Sequence, residues 1–240
     1  MRRIRSLRTD RIHLILMLAL TFSTGVVDAV GYLGLDRVFT GNMTGNVVIL
    51  GMALLGDTGL PILRPVLALL FFMLGAALAG RALRHAHPGW SHRTSMAFFT
   101  VGLGLGVLAL VVGLSVDPVP ELTGSVVTSG MATMMGIQAA AARKLKVVDV
   151  TTVVVTSTIT AFASESKLAG GDGKYWARRL LAIILILTGA VVGAAALHIA
   201  LWLGLAVSAV LTIAVVTLGH SRYKQDQRII EQETLELTGL

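Results

Sequence analysis

The stretches ALLFFMLGAALAGRAL, at residues 68–83, and AIILILTGAVVGAAAL, at residues 182–197, are almost unbroken apolar runs. A helix needs about 20 apolar residues to cross a hydrocarbon core roughly 30 Å thick. The two runs lie 114 residues apart and carry a glycine at the same position, Gly75 in the first and Gly189 in the second. They therefore predict membrane-spanning helices within an internal repeat.

The composition of the whole chain supports a membrane protein. Of its 240 residues, 55% are hydrophobic and 14% are charged, whereas about a quarter of the residues in a soluble domain are charged. The net charge of +7 lies in short connectors between apolar runs. This placement fits the positive-inside rule better than nucleic-acid binding. We expect the lipid bilayer as a partner and no nucleic acid.

Eight apolar segments can be marked along the chain. Six are long enough to span, while residues 40–56 and 147–165 are short and rich in glycine, threonine, serine or asparagine, which is typical of broken or re-entrant helices. The prediction is an all-α polytopic membrane helical bundle, a single membrane domain over residues 1–240, with six full spans and two short helices. The six long segments are 12–34, 61–84, 94–114, 121–142, 176–197 and 199–219.

Charge placement predicts the topology. If both short segments enter and leave on one side, every strongly basic stretch falls on the same face together with both termini. We therefore expect a multi-pass protein of the bacterial inner membrane with cytoplasmic N- and C-termini, and a cytoplasmic tail at residues 220–240 that is amphipathic or disordered. Eight full spans, the alternative, would place the connector Arg81–Arg93 outside.

The repeat predicts two homologous halves, about 12–114 and 121–219. Residues 25–50, GVVDAVGYLGLDRVFTGNMTGNVVIL, correspond to residues 136–160 at an offset of about 111. Three full crossings per half would insert the second half upside down, an arrangement in which broken helices meet near the bilayer midplane. Eight full spans would instead give parallel halves.

The stretch from residue 25 resembles a known family, the YoaK-like family of bacterial membrane proteins, or domain of unknown function 1275. The family's motifs are present as Val27-Asp28-Ala29, Tyr32 and Asn42-Met43-Thr44-Gly45-Asn46 in the first half, and as Gly136, Gln138 and Thr156-Ser157-Thr158 in the second. Serine stands at Ser157 where the family has glycine. The resemblance covers nearly the whole chain and implies a polytopic inner-membrane protein, but no established activity.

The polar residues within apolar segments are the candidate substrate or ion site. A carboxylate inside a membrane costs roughly 2.5–3.5 kcal/mol on insertion scales and usually faces water or a partner. Asp28 is the counterpart of Gln138 in this interpretation. The alternative is that Asp28 lies at the membrane interface and that the amides and hydroxyls only join helices. The candidate residues are Asp28, Asn42, Thr44, Asn46, Gln138, Thr156 and Thr158.

Other features predict structure rather than chemistry. Small residues allow close helix approach, so Gly41, Gly45, Gly75, Gly189 and Gly193 are predicted helix-packing positions. His85, His87 and His92 have no neighbouring thiolate or carboxylate, so we predict no metal site. No catalytic motif is present, and there is no cysteine. We expect no enzyme activity and no cofactor.

These observations favour a small secondary transporter or channel-like permease for a small solute or ion, with a site between the two short helices. The alternative is a non-transporting membrane scaffold or regulatory protein, in which the polar segments hold helices together. A homodimer is a further expectation, because a small bundle often needs a second copy to enclose a pathway.

Overall fold

A computed structural model describes residues 2–56, 58–116, 118–145 and 155–238 of the chain, and within them all regular structure is helical. The fold is a polytopic helical bundle, as predicted. The helices are α1 (Arg2–Gly34), α2 (Met43–Ala53), α3 (Leu63–Ala82), α4 (His92–Gly113), α5 (Glu121–Leu145), α6 (Val155–Ser164), α7 (Trp176–Leu197) and α8 (Leu201–Thr238), with a short 3-10 turn at Lys167–Ala169.

Five of the described helices are both long and apolar enough to cross a membrane. They are α3, α4, α7 and the portions Arg11–Gly34 of α1 and Leu201–Ile229 of α8. The sixth predicted span, α5, has 25 residues and is long enough at about 1.5 Å per residue. It is less apolar because its buried face carries Thr128, Ser129 and Gln138.

Glycines bring two helix pairs into backbone contact. A methyl group at Gly75 of α3 would collide with the carbonyl of Thr133 on α5, and one at Gly189 of α7 would collide with the carbonyl of Phe22 on α1. Gly136 and Gly25 make the reciprocal approaches, to the α3 and α7 backbones. Without glycine these pairs could not pack so closely. The pairs α3–α5 and α1–α7 have the most extensive contacts in the bundle.

Contacts along each pair give the direction of the helices. Gly189 meets Phe22 and Gly193 meets Val26, so α7 runs parallel to α1. Contacts from Gly124 to Arg64 and from Gly75 to Thr133 likewise make α5 parallel to α3.

Three other pairs are antiparallel. Gly102 meets Ile213 while Gly113 meets Trp202, so α4 and α8 run in opposite directions. Gly34 contacts Leu201 and Ser23 contacts Ser208, so α1 and α8 are antiparallel. Gly104 contacts Met134 and Gly130 contacts Leu108, so α4 and α5 are also antiparallel. Consequently α1, α4 and α7 run one way, and α3, α5 and α8 run the other.

The short helices lie between long helices of opposite direction. Helix α2 has 11 residues and follows α1 and precedes α3 at one end of the bundle, called end A here. Helix α6 has 10 residues and lies between the end of α5 and the start of α7 at the opposite end, called end B. The predicted segment 40–56 is therefore α2 with its flanks. Of the predicted segment 147–165, residues 147–154 lie outside the described residues.

Charge is divided between the two ends. The charged residues described at end A are Asp36, Arg37, Arg64 and Glu121, whereas end B holds the basic connectors and both described chain ends. Helix α8 continues to Thr238, so residues 220–238 of the predicted tail extend the last helix. Residues 220–238 contain neither glycine nor proline, and nothing in them stops a helix.

Candidate functional site

A hairpin after α1 folds back against that helix. Asp36 and Arg37 have positive φ angles of 64° and 56°, which reverse the chain. The carbonyl of Val38 then packs over Gly31, where a side chain would leave too little room. Thr40 and Gly41 donate their backbone N–H groups to Asp28 Oδ1, at 3.0 Å and 2.7 Å. The carboxylate of Asp28 therefore holds the tip of the hairpin inside the bundle, six residues before α1 ends.

Two asparagines shape the rest of this hairpin. Asn46 Oδ1 accepts the Phe39 N–H at 2.9 Å, while Asn46 Nδ2 donates to the Phe39 carbonyl at 2.5 Å. Asn46 is 1% exposed, so its amide closes the hairpin from inside. Asn42 is the N-cap of α2 and accepts from Gly45 N, as is usual for an asparagine at that position. Gly45 leaves room for the Phe39 ring.

Gln138 lies on α5 where that helix crosses α1. Its Nε2 donates to Thr24 Oγ1 at 3.1 Å, and Thr24 in turn donates to the Leu20 carbonyl. Gln138 Oε1 is buried and has no hydrogen-bond partner among the described residues. Gly25 and Gly136, which are 111 residues apart, make similar close approaches to the backbones of α7 and α3. The expected pairing of Asp28 with Gln138 stays a prediction.

A crevice of about 1400 Å³ lies beside this crossing. It is bounded by α1, the hairpin tip, α3, α5, α6 and α7, and most of its lining is apolar. Its polar lining residues are Asp28, Tyr32, Asn42, Thr44, Arg143 and Thr156. Four of the seven predicted site residues thus line one space: Asp28, Asn42, Thr44 and Thr156. Asn46, Gln138 and the buried Thr158 do not line it.

The crevice opens on the side of the bundle. Leu33, Leu187 and Val191 line it and are 62%, 63% and 61% exposed. Apolar side chains so exposed on membrane-crossing helices face lipid. The crevice is therefore open to the hydrocarbon on this side.

The five glycines predicted to pack helices fall into two groups. Gly75, Gly189 and Gly193 lie between long helices, whereas Gly41 and Gly45 lie within the hairpin. Gly41 fits against Thr24, Asp28 and Met135, where an added side chain would be crowded.

Several residues of the site were missed by sequence reasoning. Tyr32 and Phe39 stack with their ring centroids 4.8 Å apart, and both line the crevice together with Arg143. The close contacts of Gly25 and Gly136 could have been found from their separation of 111 residues, the same offset as the repeat. A purely local pattern does not predict which aromatic rings meet across a loop.

An ion pair of a buried arginine with an exposed glutamate was also missed. Arg179 of α7 is 3% exposed on its side chain and contacts Glu165 at 2.6 Å, and it donates to the Ala161 carbonyl of α6 at 2.8 Å. In the sequence it belongs to a basic run that predicts an interfacial residue. Among the described residues, no group of three His, Asp or Glu side chains could hold a metal ion.

Comparison with known proteins places the chain in a family. A family model described as "Protein of unknown function (DUF1275)" matches residues 16–218. The chain is 30% identical over 203 residues to the UPF0700 transmembrane protein YoaK of Bacillus subtilis (strain 168), covering 78% of this chain and 87% of that protein. No solved structure matches. The chain therefore belongs to the DUF1275 family and is similar to a transmembrane member of it.

Proposed function

We propose that the protein is a small secondary transporter or channel-like permease of the bacterial inner membrane, and that the crevice is its solute pathway. The observation that carries this proposal is the crevice itself. Its walls include the tip of a hairpin that enters from end A and the start of α6, which belongs to end B. Non-helical backbone at membrane depth is tolerated where it lines a cavity, and substrate sites of transporters often lie at such broken helices.

The proposal includes an internal repeat in which α1–α4 and α5–α8 are two halves of opposite orientation in the membrane. Gly25 approaches Ile186 as Gly136 approaches Phe72, and the partners are again 114 residues apart. Each long helix of the first half runs opposite to its counterpart in the second half: α1 to α5, α3 to α7 and α4 to α8. An approximate two-fold axis in the membrane plane would relate the halves and pass near the contact between Thr24 and Gln138.

The division of charge supports an orientation for the bundle. End B carries Arg81, Arg84 and Arg93 in one connector and Arg222, Lys224 and Arg228 in the last helix. The positive-inside rule assigns such an end to the cytoplasm. The proposed topology therefore has both termini cytoplasmic and the hairpin tip of residues 40–42 entering from the outside. A homodimer remains a prediction.

Flux into proteoliposomes tests the proposal, with wild type compared with Asp28→Asn under an imposed pH gradient. Asparagine keeps the Oδ1 acceptor that holds Thr40 and Gly41 but removes the ionisable group. We expect gradient-dependent uptake from a panel of anions, cations and organic solutes by the wild type, and at least a tenfold loss in the variant. Wild-type protein that is folded and transports nothing would contradict the proposal, as would unchanged flux in Asp28→Asn.

A scaffold or regulatory protein is the second candidate. The observation in its favour is that Asp28, Asn46 and Gln138 each make hydrogen bonds within the bundle, so a structural role is available to each. This alternative expects substitutions at Asn46 to lower stability and partner binding without changing any flux. Measuring flux per folded molecule separates the two functions, because it removes the effect of stability.

A further inference from the structure

We propose that the crevice binds an organic cation with an apolar body, which reaches it from the lipid side. The binding group is the acidic corner, defined as Asp28, Tyr32 and Phe39. The inference names the ligand class of the crevice and rests on the proposed function only for the statement that the ligand is transported. Binding itself can be measured separately.

The carboxylate of Asp28 is the charged group of the acidic corner and is held by the hairpin. Its Oδ1 accepts the N–H groups of Thr40 and Gly41, the Asn42 N–H also hydrogen-bonds to the carboxylate, and Asp28 forms no ion pair with a described residue. Asp28 lines the crevice. A carboxylate oxygen in a largely apolar space is a strong site for a cation, because little water competes for it.

The aromatic part of the acidic corner suits an organic cation rather than a metal ion. The stacked rings of Tyr32 and Phe39 both line the crevice. An ammonium or phosphonium group within about 6 Å of an aromatic face gains roughly 0.5–2 kcal/mol, more where water is excluded. A bare metal ion would require several oxygen ligands, whereas a single carboxylate and two rings favour a large, weakly hydrated cation.

The size and exposure of the crevice fit an apolar body. Its volume of about 1400 Å³ exceeds the roughly 300–1000 Å³ typical of pockets for drug-sized ligands. Leu33, Leu187 and Val191 form its lipid-facing rim. A ligand that has partitioned into the bilayer can therefore enter the crevice directly from the hydrocarbon, without returning to the aqueous phase.

The one basic lining residue described, Arg143, does not neutralise this corner. Asp28 lies four residues beyond Thr24 toward end A, and Arg143 lies five residues beyond Gln138 toward end B. Because Thr24 and Gln138 are in contact, the two charges are separated along the bundle axis by roughly 13 Å, at about 1.5 Å per residue. The crevice is thus acidic in one half and basic in the other.

Two ions of the same shape and opposite charge test the ligand class. Binding of radiolabelled tetraphenylphosphonium and tetraphenylborate is measured on the full chain in nanodiscs, with empty nanodiscs as the partition blank. We expect saturable binding of the phosphonium alone. Asp28→Asn should weaken it at least tenfold and Tyr32→Leu several-fold. Glu121→Gln, which removes an exposed carboxylate outside the lining residues, should change it less than twofold.

The outcomes separate this inference from the transport proposal. No saturable phosphonium binding to folded wild type, or binding unaffected by Asp28→Asn, overturns the inference even if other solutes are transported. Saturable tetraphenylborate binding that Arg143→Gln removes overturns it in favour of an anion site. Asp28-dependent phosphonium binding without phosphonium flux upholds the binding site and contradicts transport of this ligand. Thermal unfolding of each variant establishes that a loss of binding is not a loss of fold.

Discussion

Asp28 both holds the hairpin and lines the crevice. Its Oδ1 accepts two backbone N–H groups of the hairpin, and the residue also lines the crevice. A carboxylate is costly within a membrane, and these hydrogen bonds offset part of that cost. The structural and the functional interpretations of this residue are therefore compatible, and substitutions that preserve one oxygen acceptor distinguish them.

Comparing Asp28→Asn with Asp28→Ala measures the structural part. Asparagine can still accept from Thr40 and Gly41, whereas alanine leaves both N–H groups without their acceptor. An unsatisfied buried donor costs about 1–3 kcal/mol, so we expect Asp28→Ala to be less stable than Asp28→Asn by at least about 1 kcal/mol. Unfolding in detergent with increasing SDS, followed by circular dichroism, gives the difference. Equal stabilities would show that the carboxylate does not hold the hairpin.

Asn46 provides a second comparison at the same scale. The side-chain oxygen and nitrogen of Asn46 both hydrogen-bond to the backbone of Phe39. Asn46→Leu should therefore lower the free energy of unfolding by about 2 kcal/mol. Thr44, two residues earlier, is exposed and makes no side-chain hydrogen bond with a described residue, so Thr44→Val should change it by less than about 0.5 kcal/mol. The same unfolding assay applies. A harmless Asn46→Leu would show that this amide does not stabilise the hairpin.

At the scale of helices, glycines determine which pairs come into backbone contact. Gly75 and Gly189 occupy equivalent places on α3 and α7, and each meets a carbonyl of its neighbour. Gly80, one turn further along α3, has open space around it. The bundle therefore contains its own matched control for the effect of an added methyl group.

Alanine at these three positions should give two different results. Overpacking typically costs about 1–3 kcal/mol, and we expect a similar penalty for Gly75→Ala and Gly189→Ala because their surroundings match. Gly80→Ala should be neutral or stabilising by up to about 1 kcal/mol, since glycine is a poor helix former. Melting temperatures in detergent measure all three variants. A penalty at only one of the two equivalent positions would contradict the equivalence of the helix pairs.

The sequence predicted helices better than it predicted side-chain partners. Hydropathy located α3 and α7 to within about two residues, because lipid requires long apolar runs. The last apolar segment was predicted to end at residue 219, and the described helix continues to Thr238 because polar residues beyond the membrane can continue a helix as well as apolar ones. The pairing of Asp28 with Gln138 was made from similar polarity alone and stays a prediction.

The candidate site was predicted only in part, for a related reason. Asp28, Asn42, Thr44 and Thr156 were recognised as polar groups in apolar segments, and all four line the crevice. Arg143 and the ring pair of Tyr32 and Phe39 depend on how distant helices and a loop meet. Such contacts have no period in the sequence, so composition and spacing could not reveal them.

At the scale of the molecule, the proposed transport pathway requires that two segments enter the bundle from opposite faces. The hairpin tip at residues 40–42 belongs to end A, and α6 belongs to end B. Transporters built from inverted halves commonly expose their site to one side at a time. An enclosed crevice reached by segments from a single face would not provide a path across the membrane.

Side-specific labelling of single cysteines tests this claim most directly, because the chain has no cysteine of its own. Asn42→Cys and Thr156→Cys would be exposed to a membrane-impermeant maleimide in right-side-out and inverted vesicles. Leu55→Cys and His87→Cys, at exposed positions of ends A and B, mark the two faces. If the hairpin tip and α6 enter from opposite faces, Asn42→Cys is labelled from the same face as Leu55→Cys. Thr156→Cys is then labelled from the same face as His87→Cys. Labelling of both crevice positions from one face, or from neither, would contradict this claim.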